Sequence, residues 1–475
     1  MSPSADPAKP PVITHLTPSE RAARGKAARA VMPRASHGAW APDEPRRQPL
    51  DLLAEQATTR VPELVPIRHG RMAASPFAFF RGAAYVLASD LASSPRSGLN
   101  VQLCGDAHLA NFGGFASPER SFVFDLNDFD ETLPGPFEWD VKRLAASVEI
   151  AARSRGFDAK VRTAIVTGTV RSYRQAMRTF ATMSNLDVWY TRLDVDTVLK
   201  TWGQEVAGDA LKNIQRAVQK AESKDRLKAK VKLTELVGDE LRFRSDPPLL
   251  VPAEEVFSEA DHEQLETSIR QALRSYRRSL SGDRRRLVES YGYRQLARKV
   301  VGVGSVGTRA WLALMIGRDN DDPLFLQVKE AEASVLEPFL AKSTFANHGQ
   351  RVVEGQRLMQ ATSDILLGWQ RVDGVDGRTH DYYMRQLWDW KASADVDNMT
   401  AQTLGVYGQL CGWALARGHA RSGDRIAIGS YLGNGTTFER AMAEFATAYA
   451  EQNDLDHRSL VDAIADGRVQ AQSGI

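Results

Sequence analysis

Phe77, Phe80, Ala84, Leu87 and Leu91 recur at helical spacing, so the pattern predicts a buried helix over residues 76–91. Residues 99–103 alternate apolar and polar as a short strand does, and residues 121–124 read as a second strand. A turn follows at Leu133-Pro134-Gly135-Pro136, and residues 139–153 have the period of an amphipathic helix. Residues 158–300 read as mostly helical, with a loop at Ser245-Asp246-Pro247-Pro248. Near Arg298 the texture changes to short β-rich runs at 299–302, 310–316, 324–329, 365–372 and 382–387, interrupted by a helix over 349–362. Beyond Thr400 the pattern is helical again. Residues 1–60 mix Pro, Ala, Ser and Arg without a period and read as a largely flexible arm, with one short helix over 18–31.

These changes divide the chain into an arm (1–60), a mainly helical segment (61–297), a β-rich segment (298–391) and C-terminal helices (392–475). A chain of 475 residues exceeds one simple core, which agrees with several units. A net charge of +2 gives no support to general nucleic-acid binding. Two cysteines, Cys104 and Cys411, cannot make a disulfide framework and fit a reducing compartment. No apolar run is long enough to span a bilayer, and the N-terminus lacks the apolar core of a secretory signal. The expectation is a cytoplasmic protein with no membrane and no nucleic-acid partner.

The richest chemistry lies between Gly105 and Glu131. Asp106 and Asn111 stand five positions apart in Gly105-Asp106-Ala107-His108-Leu109-Ala110-Asn111, the Asp-to-Asn step of a kinase catalytic loop. Asp125, Asp128, Asp130 and Glu131 then crowd into seven positions and would repel one another without a cation. Asp128 is the first choice as metal ligand and Asp130 the second, with Mg²⁺ or Mn²⁺ suited to oxygen donors beside phosphates. The simpler alternative is a turn whose Asp and Asn side chains cap local elements. His108 has two readings, a base or metal ligand on one hand and a loop-orienting hydrogen-bonding group on the other.

A second constellation comes later. Gly302, Gly304 and Gly307 have the G-x-G-x-x-G arrangement, and the apolar run after them reads as a strand. A glycine loop between two strands is the nucleotide-covering loop of kinases. Lys329 ends an apolar strand in the context of a phosphate-binding Lys. Such a Lys needs a Glu partner, for which Glu354 is the first candidate and Glu337 the second. Arg309 could touch a phosphate or face solvent. Residues 381–387 form a hinge-like strand whose backbone could meet an adenine, or an ordinary sheet strand. The basic runs 224–232 and 270–286 read as anion-binding segments or as solvated helix faces.

The stretches 105–113, 124–132, 135–140 and 351–357 together resemble a bacterial family known as domain of unknown function 2252, over most of residues 60–450. More distantly, Asn127-Asp128-Phe129-Asp130-Glu131, Gly135-Pro136 and Trp139-Asp140 resemble the metal-binding region of aminoglycoside and choline phosphotransferases. Gly105, Asp106, His108 and Asn111 match the catalytic loop of those enzymes, while Cys104 stands where their leading His is usual. The resemblance implies Asp106 as catalytic base, Asn111 and Asp128 as Mg²⁺ ligands and Asp140 as an anchor in the following helix. It further implies an α+β, protein-kinase-like, two-lobed fold. Because the glycine loop and Lys329 follow the catalytic loop, that fold would be circularly permuted.

The expected function is an ATP-dependent, Mg²⁺-dependent phosphotransferase acting on a hydroxyl or amine of a small-molecule or protein acceptor, with nucleotidyl transfer possible at the same site. Two other readings stay open: a kinase-shaped protein that holds nucleotide without turnover, and a metal-dependent hydrolase using the Asp/His cluster. No motif specifies the acceptor or the oligomeric state.

Overall fold

The computed structural model describes residues 15–194, 197, 198, 202, 226–258, 261–300, 302–374, 376–387 and 390–474. Residues 1–14 of the expected arm, residues 224–225 of the first basic run and Val301 of the expected strand 299–302 lie outside the described residues.

Thr17-Pro18-Ser19-Glu20 is a capping box: Thr17 Oγ1 accepts from the Glu20 N–H at 3.3 Å, and Glu20 Oε2 accepts from the Thr17 N–H at 2.7 Å. It starts α1 (Pro18–Val31), the helix expected there. Residues 32–60, read as flexible, instead carry α2 (Pro49–Ala57) with Leu52 and Leu53 buried. Arg46 clamps this stretch through ion pairs at 2.7 Å to both Asp90 and Asp456. Partners so far along the chain leave no trace in a local pattern.

After α3 (Val65–Ala73), the helix expected over 76–91 is broken into α4 (Pro76–Gly82) and α5 (Ala84–Leu91). At the break the Gly82 carbonyl accepts from Arg68 at 2.9 Å and the Phe80 carbonyl accepts from Arg143 at 2.7 Å. Buried guanidinium groups satisfy these carbonyls, while Arg68 Nε and Nη1 and Arg143 Nη1 have no hydrogen-bond partner among the described residues. Four short strands follow: β1 (Asn100–Leu103), β2 (Phe112–Ala116), β3 (Phe122–Leu126) and β4 (Leu133–Pro136). The last replaces the expected turn and pairs antiparallel with β1. Pro is tolerated there because this is an edge strand of a two-stranded sheet.

α6 (Phe137–Ser154), α7 (Ala159–Thr182) and α8 (Asn185–Tyr190) come next, then α9 (Arg226–Leu233). The expectation of helix across 158–300 fails at β5 (Thr234–Val237), β6 (Glu240–Phe243), β7 (Leu250–Pro252) and β8 (Gly292–Lys299). α10 (Ala253–Val256), α11 (His262–Ser279) and α12 (Gly282–Glu289) separate β7 from β8. β8 contains a register shift at Tyr293/Gln295, which disturbs the alternation that marks a strand. It ends at Lys299, so of the described residues of the strand expected over 299–302 only Lys299 belongs to a strand.

β9 (Ala310–Ile316) and β10 (Pro323–Glu330) agree closely with expectation, as do α13 (His348–Met359), β11 (Gly368–Asp373) and β12 (Thr379–Gln386). β13 (Ala392–Ser393), α14 (Ala401–Ser422), α15 (Arg425–Leu432) and α16 (Thr437–Ala465) complete the chain. The fold is mixed α+β with several sheets. The largest sheet has the antiparallel order β11–β12–β10–β9–β8–β7, and a smaller one has the order β13–β2–β3.

Period-two alternation gives the six-stranded sheet two faces. Leu326, Val328, Tyr382 and Met384 pack with Tyr276 of α11 and with Leu280, just past its end, on one face. Phe325, Leu312 and Leu314 pack with Ala229 and Leu233 of α9 on the other. Lys329 shares the face of Phe325, and its cross-strand partner is Tyr383. The main core is helical, built around α6, α7 and α14. α14 approaches α7 closely because Gly412 has no side chain; a Cβ there would lie 2.3 Å from the Thr169 carbonyl oxygen. α1 lies equally close to α15, where a Cβ at Gly25 would meet the Ala427 carbonyl oxygen at 1.9 Å. Among the described residues no helix is long and apolar enough to cross a membrane.

Within the core, Arg417 of α14 donates to both carboxylate oxygens of Asp125, at 2.7 and 2.6 Å, and both side chains are 1% exposed. Changing Arg417→Met strands a buried carboxylate, and urea denaturation is expected to show a loss of about 3–5 kcal/mol. A loss below about 1 kcal/mol, the scale of an exposed pair, would show that this pair is not a structural tie.

Candidate functional site

The site is built from the start of α6. Asp140, in its first turn, accepts from the backbone N–H groups of Cys104 at 2.8 Å and Gly105 at 3.1 Å. His419 Nε2 lies 3.2 Å from the same carboxylate. This fixes the loop after β1, and Asp140 takes the anchoring position that the resemblance implied. Gly105 has φ +84°, and a Cβ would fall 2.3 Å from the Glu131 carbonyl oxygen. Conformation and space both demand glycine there.

Asp106 follows at the wall of a cavity of about 690 Å³. Arg143, one turn after Asp140 on α6, donates Nε to Asp106 Oδ1 at 2.8 Å. Burial drives the Asp106 carboxyl up and Arg143 pulls it partly back, leaving it at about 6. His108 Nε2 lies 3.7 Å from Asp106 Oδ2, and the buried Nδ1 has no hydrogen-bond partner among the described residues. Burial first, then the charges of Arg143 and Arg81, push the imidazole well below its ordinary range, so it is neutral. Asn111 ends a 3-10 turn (Leu109–Asn111) and donates Nδ2 to the Asp106 carbonyl at 2.8 Å. That bond closes the five-residue step and leaves the amide oxygen as the free end of a side chain that lines the cavity.

The four clustered carboxylates have three different environments. Asp125 is taken out of the cluster by Arg417 and by the Ala361 N–H at 2.9 Å. Asp128 and Asp130 line the cavity and meet Lys329, whose Nζ lies 2.6 Å from Asp130 Oδ2 and 3.5 Å from Asp128 Oδ2. Tyr383 donates its hydroxyl to Asp130 Oδ1 at 2.6 Å. Burial opposes ionisation of Asp128, but Lys329 and Arg385 outweigh it and hold the carboxyl well below its usual range. Burial likewise opposes the Lys329 charge, and the two aspartates reverse the effect and hold it well above. Glu131 accepts from the Val335 N–H at 2.7 Å, and burial pushes its carboxyl up to about 7.

The sheet delivers the opposite wall. The loop between β8 and β9 sets Gly302, Gly304 and Ser305 on the cavity. Gly302 and Gly307 have φ of +66° and +93°. Arg71 and Arg60 donate to the carbonyls of Gly302 and Val306, and the Val61 N–H donates to the Gly307 carbonyl at 2.8 Å. The loop is thus tied to residues 60–71 rather than free.

The structure brings Asp106, His108, Asn111, Asp128, Asp130, Gly302 and Gly304 around one cavity, with Lys329 buried directly behind the two aspartates. It does not bring Gly307 to the lining; a Cβ there would instead lie 3.1 Å from Arg60. Glu354 is not the partner of Lys329, since it sits at 36% exposure and pairs with Arg357 at 3.3 Å. Its α13 neighbour Arg351 faces the site instead and donates to the carbonyls of Thr132, Asp130 and Glu332 at 2.7–2.8 Å. Glu337 lines the cavity without an ion pair to Lys329 among the described residues. Arg309 pairs with Glu330 at 3.2 Å and Asp376 at 3.0 Å.

Sequence reasoning passed over Arg60, Arg81, Arg143, Arg351 and Tyr383. Residues 137–152 of α6, expected to be amphipathic, are all buried, and Arg351 is buried on α13, so neither Arg143 nor Arg351 stands out in sequence from an arginine on a solvated helix face. Among the described residues no group of three or more His, Cys, Asp or Glu side chains is arranged to hold a metal ion. Two carboxylates and an amide oxygen still suit Mg²⁺, which binds through one or two carboxylates and completes its shell with phosphates and water.

The family model described as "Uncharacterized protein conserved in bacteria (DUF2252)" matches residues 60–463, which include Asp106, His108, Asn111, Asp128, Asp130, the glycine loop and Lys329. No curated protein and no solved structure matches the chain. On the extent of that match, the chain belongs to the DUF2252 family.

Proposed function

We propose that this chain is an ATP-dependent, Mg²⁺-dependent phosphotransferase of the kinase-like type, acting on a hydroxyl or amine. The observation that carries this reading is the convergence of two distant parts of the chain on one cavity: the Asp106–Asn111 loop with Asp128 and Asp130, and the glycine loop with Lys329. The order of elements supports it. A glycine loop joins the antiparallel β8 and β9, the Lys stands on β10, a helix follows, and β11 and β12 return to the sheet beside β10. Kinases use these parts to cover, grip and align the phosphates. Here they come after the catalytic loop, which is the permuted order, and contacts rather than chain order create a site.

Phosphoryl transfer demands positioning and charge more than covalent chemistry. Asp106 accepts the acceptor's proton, and a carboxyl near 6 is largely ionised at neutral pH yet basic enough to help. Arg143 orients it. Asn111, Asp128 and Asp130 would hold Mg²⁺, which when bound neutralises phosphate charge. Lys329, already ionised beside both aspartates, supplies a fixed positive charge at the same place. The glycine loop brings backbone close to the phosphates without side chains in the way.

Thermal-shift titration with ATP and Mg²⁺ is expected to stabilise the protein, and the double change Asp128→Ala/Lys329→Ala is expected to abolish the shift. Nucleotide binding that survives this double change would sink the proposal. Asp106→Asn should lower turnover by about 10²–10⁴-fold while leaving nucleotide affinity unchanged. Only ionised Asp106 accepts a proton, so kcat/KM should rise with pH through about 6 and level off above it. A profile that falls as pH rises through 6 would remove Asp106 from the role of base.

A further inference from the structure

A second recess, of about 560 Å³, shares no lining residue with the cavity above. It lies among α1, the turn after it, α7 and the α15–α16 connection. Its charged lining side chains are Lys26, Arg29, Arg34 and Arg178, and no carboxylate lines it. Four like charges around one recess repel one another, and without a counter-charge they cost stability.

Two of the four have a local use. Arg29 donates Nε to the Tyr431 carbonyl at 2.9 Å and a terminal nitrogen to the Ser430 carbonyl, while Arg34 donates to the Leu432 carbonyl at 2.7 Å. These are the last carbonyls of α15, so both arginines close its C-terminus. Lys26 and Arg178 have no such use, and no ion pair with a described residue balances either. Burial first, and then the charge of Arg34, work against the Arg29 charge, and Tyr431 offsets part of this.

The floor is a glycine-rich turn. Gly433 has φ +67°, and a Cβ there would meet terminal nitrogens of Arg29 at 2.7 Å and Arg34 at 2.9 Å. Gly433, Asn434 and Gly435 all line the recess, and the chain then enters the 29-residue α16. The N-cap residue of that helix, Thr436, makes no side-chain capping hydrogen bond. A recess lined by four cationic side chains and by no carboxylate has the character of an anion site.

We propose that this recess binds a small phosphate-bearing anion, held from the sides by Lys26 and Arg178 and from below by Arg29 and Arg34. The site is independent of the phosphotransferase reading, because no residue of that cavity takes part. Arginine suits the tetrahedral, multiply charged phosphate group through paired N–H donors, and a cluster of this size fits two or more negative charges.

The test is isothermal titration of the full chain with inorganic pyrophosphate in buffer free of divalent metal. Parallel arms with inorganic phosphate and adenosine monophosphate distinguish an inorganic ligand from an organic phosphate. The wild type is expected to bind pyrophosphate, with an affinity about tenfold or more higher than that of Lys26→Ala/Arg178→Ala. Lys329→Ala is expected to bind it as the wild type does. The exposed Lys26 also gives a variant that leaves the fold alone, and Lys26→Glu by itself is expected to weaken binding. Without ligand, the double variant should melt no lower than the wild type, because removing two of four like charges relieves repulsion. No binding by the wild type, equal affinity in the double variant, or loss of binding in a Lys329→Ala protein that still unfolds cooperatively would each overturn the proposal.

Discussion

The ammonium of Lys329, held between Asp130 and Asp128, is the contact on which the candidate site depends. It joins positions 199 residues apart in sequence and docks the six-stranded sheet onto the loop that carries the carboxylates. Lys329 is 2% exposed, and a lone ammonium at such a depth would lose its proton or pull the structure open. The two aspartates reverse that tendency, and at an effective dielectric near 20 one such close pair is worth about 4 kcal/mol before desolvation. The dependence is mutual. Asp128 and Asp130 would repel each other without the ammonium, and Tyr383 on the neighbouring strand adds a hydroxyl to the same group. The cluster is therefore assembled by the sheet, and the sheet is located by the cluster.

Around this contact the chain uses guanidinium groups to hold backbone in irregular conformations. Arg351 gathers carbonyls from Asp130, Thr132 and Glu332, so one side chain on α13 fixes both the carboxylate loop and the segment that follows β10. Arg143 reaches Asp106 and the Phe80 carbonyl together, which links the proposed base to the break between α4 and α5. Arg60 and Arg71 hold the glycine loop by its carbonyls. Loops buried against a cavity must find partners for their polar groups, and planar multi-donor side chains satisfy several at once. The functional consequence is a site whose geometry is set before any ligand arrives, and preorganised charge of this kind suits a reaction governed by alignment.

Contacts across the fold, and not chain order, bring the two halves of the site together. The strands, glycine loop and Lys329 are encoded well after the Asp106 loop, yet β9 and β10 pair in register and present Lys329 on the face that meets Asp130. α13 lies between β10 and β11 in sequence, and its inward face carries Arg351 rather than the expected Glu354. Lys329 draws its negative partners from the carboxylate loop, and the helix contributes a cation that organises that loop's backbone.

What the sequence determined by itself was local. The capping box at Thr17 set the start of α1, the apolar runs of β9 and β10 declared themselves as strands, and the spacing of Asp106, Asn111, Asp128 and Asp130 marked the residues that now line one cavity. Each of these signals arises from interactions within a few residues, which is the range a pattern can report. What only tertiary structure decided was pairing across distance. Asp125 left the carboxylate cluster for Arg417, Glu354 turned away from Lys329, the presumed arm was fastened by Arg46 to Asp90 and Asp456, and β8 was recruited into a sheet despite its irregular alternation. A carboxylate looks the same in sequence whether it will face a cavity, a buried arginine or solvent. Its fate is fixed by which oppositely charged group the folded chain brings within about 3 Å, because a carboxylate buried without one is left as an uncompensated charge.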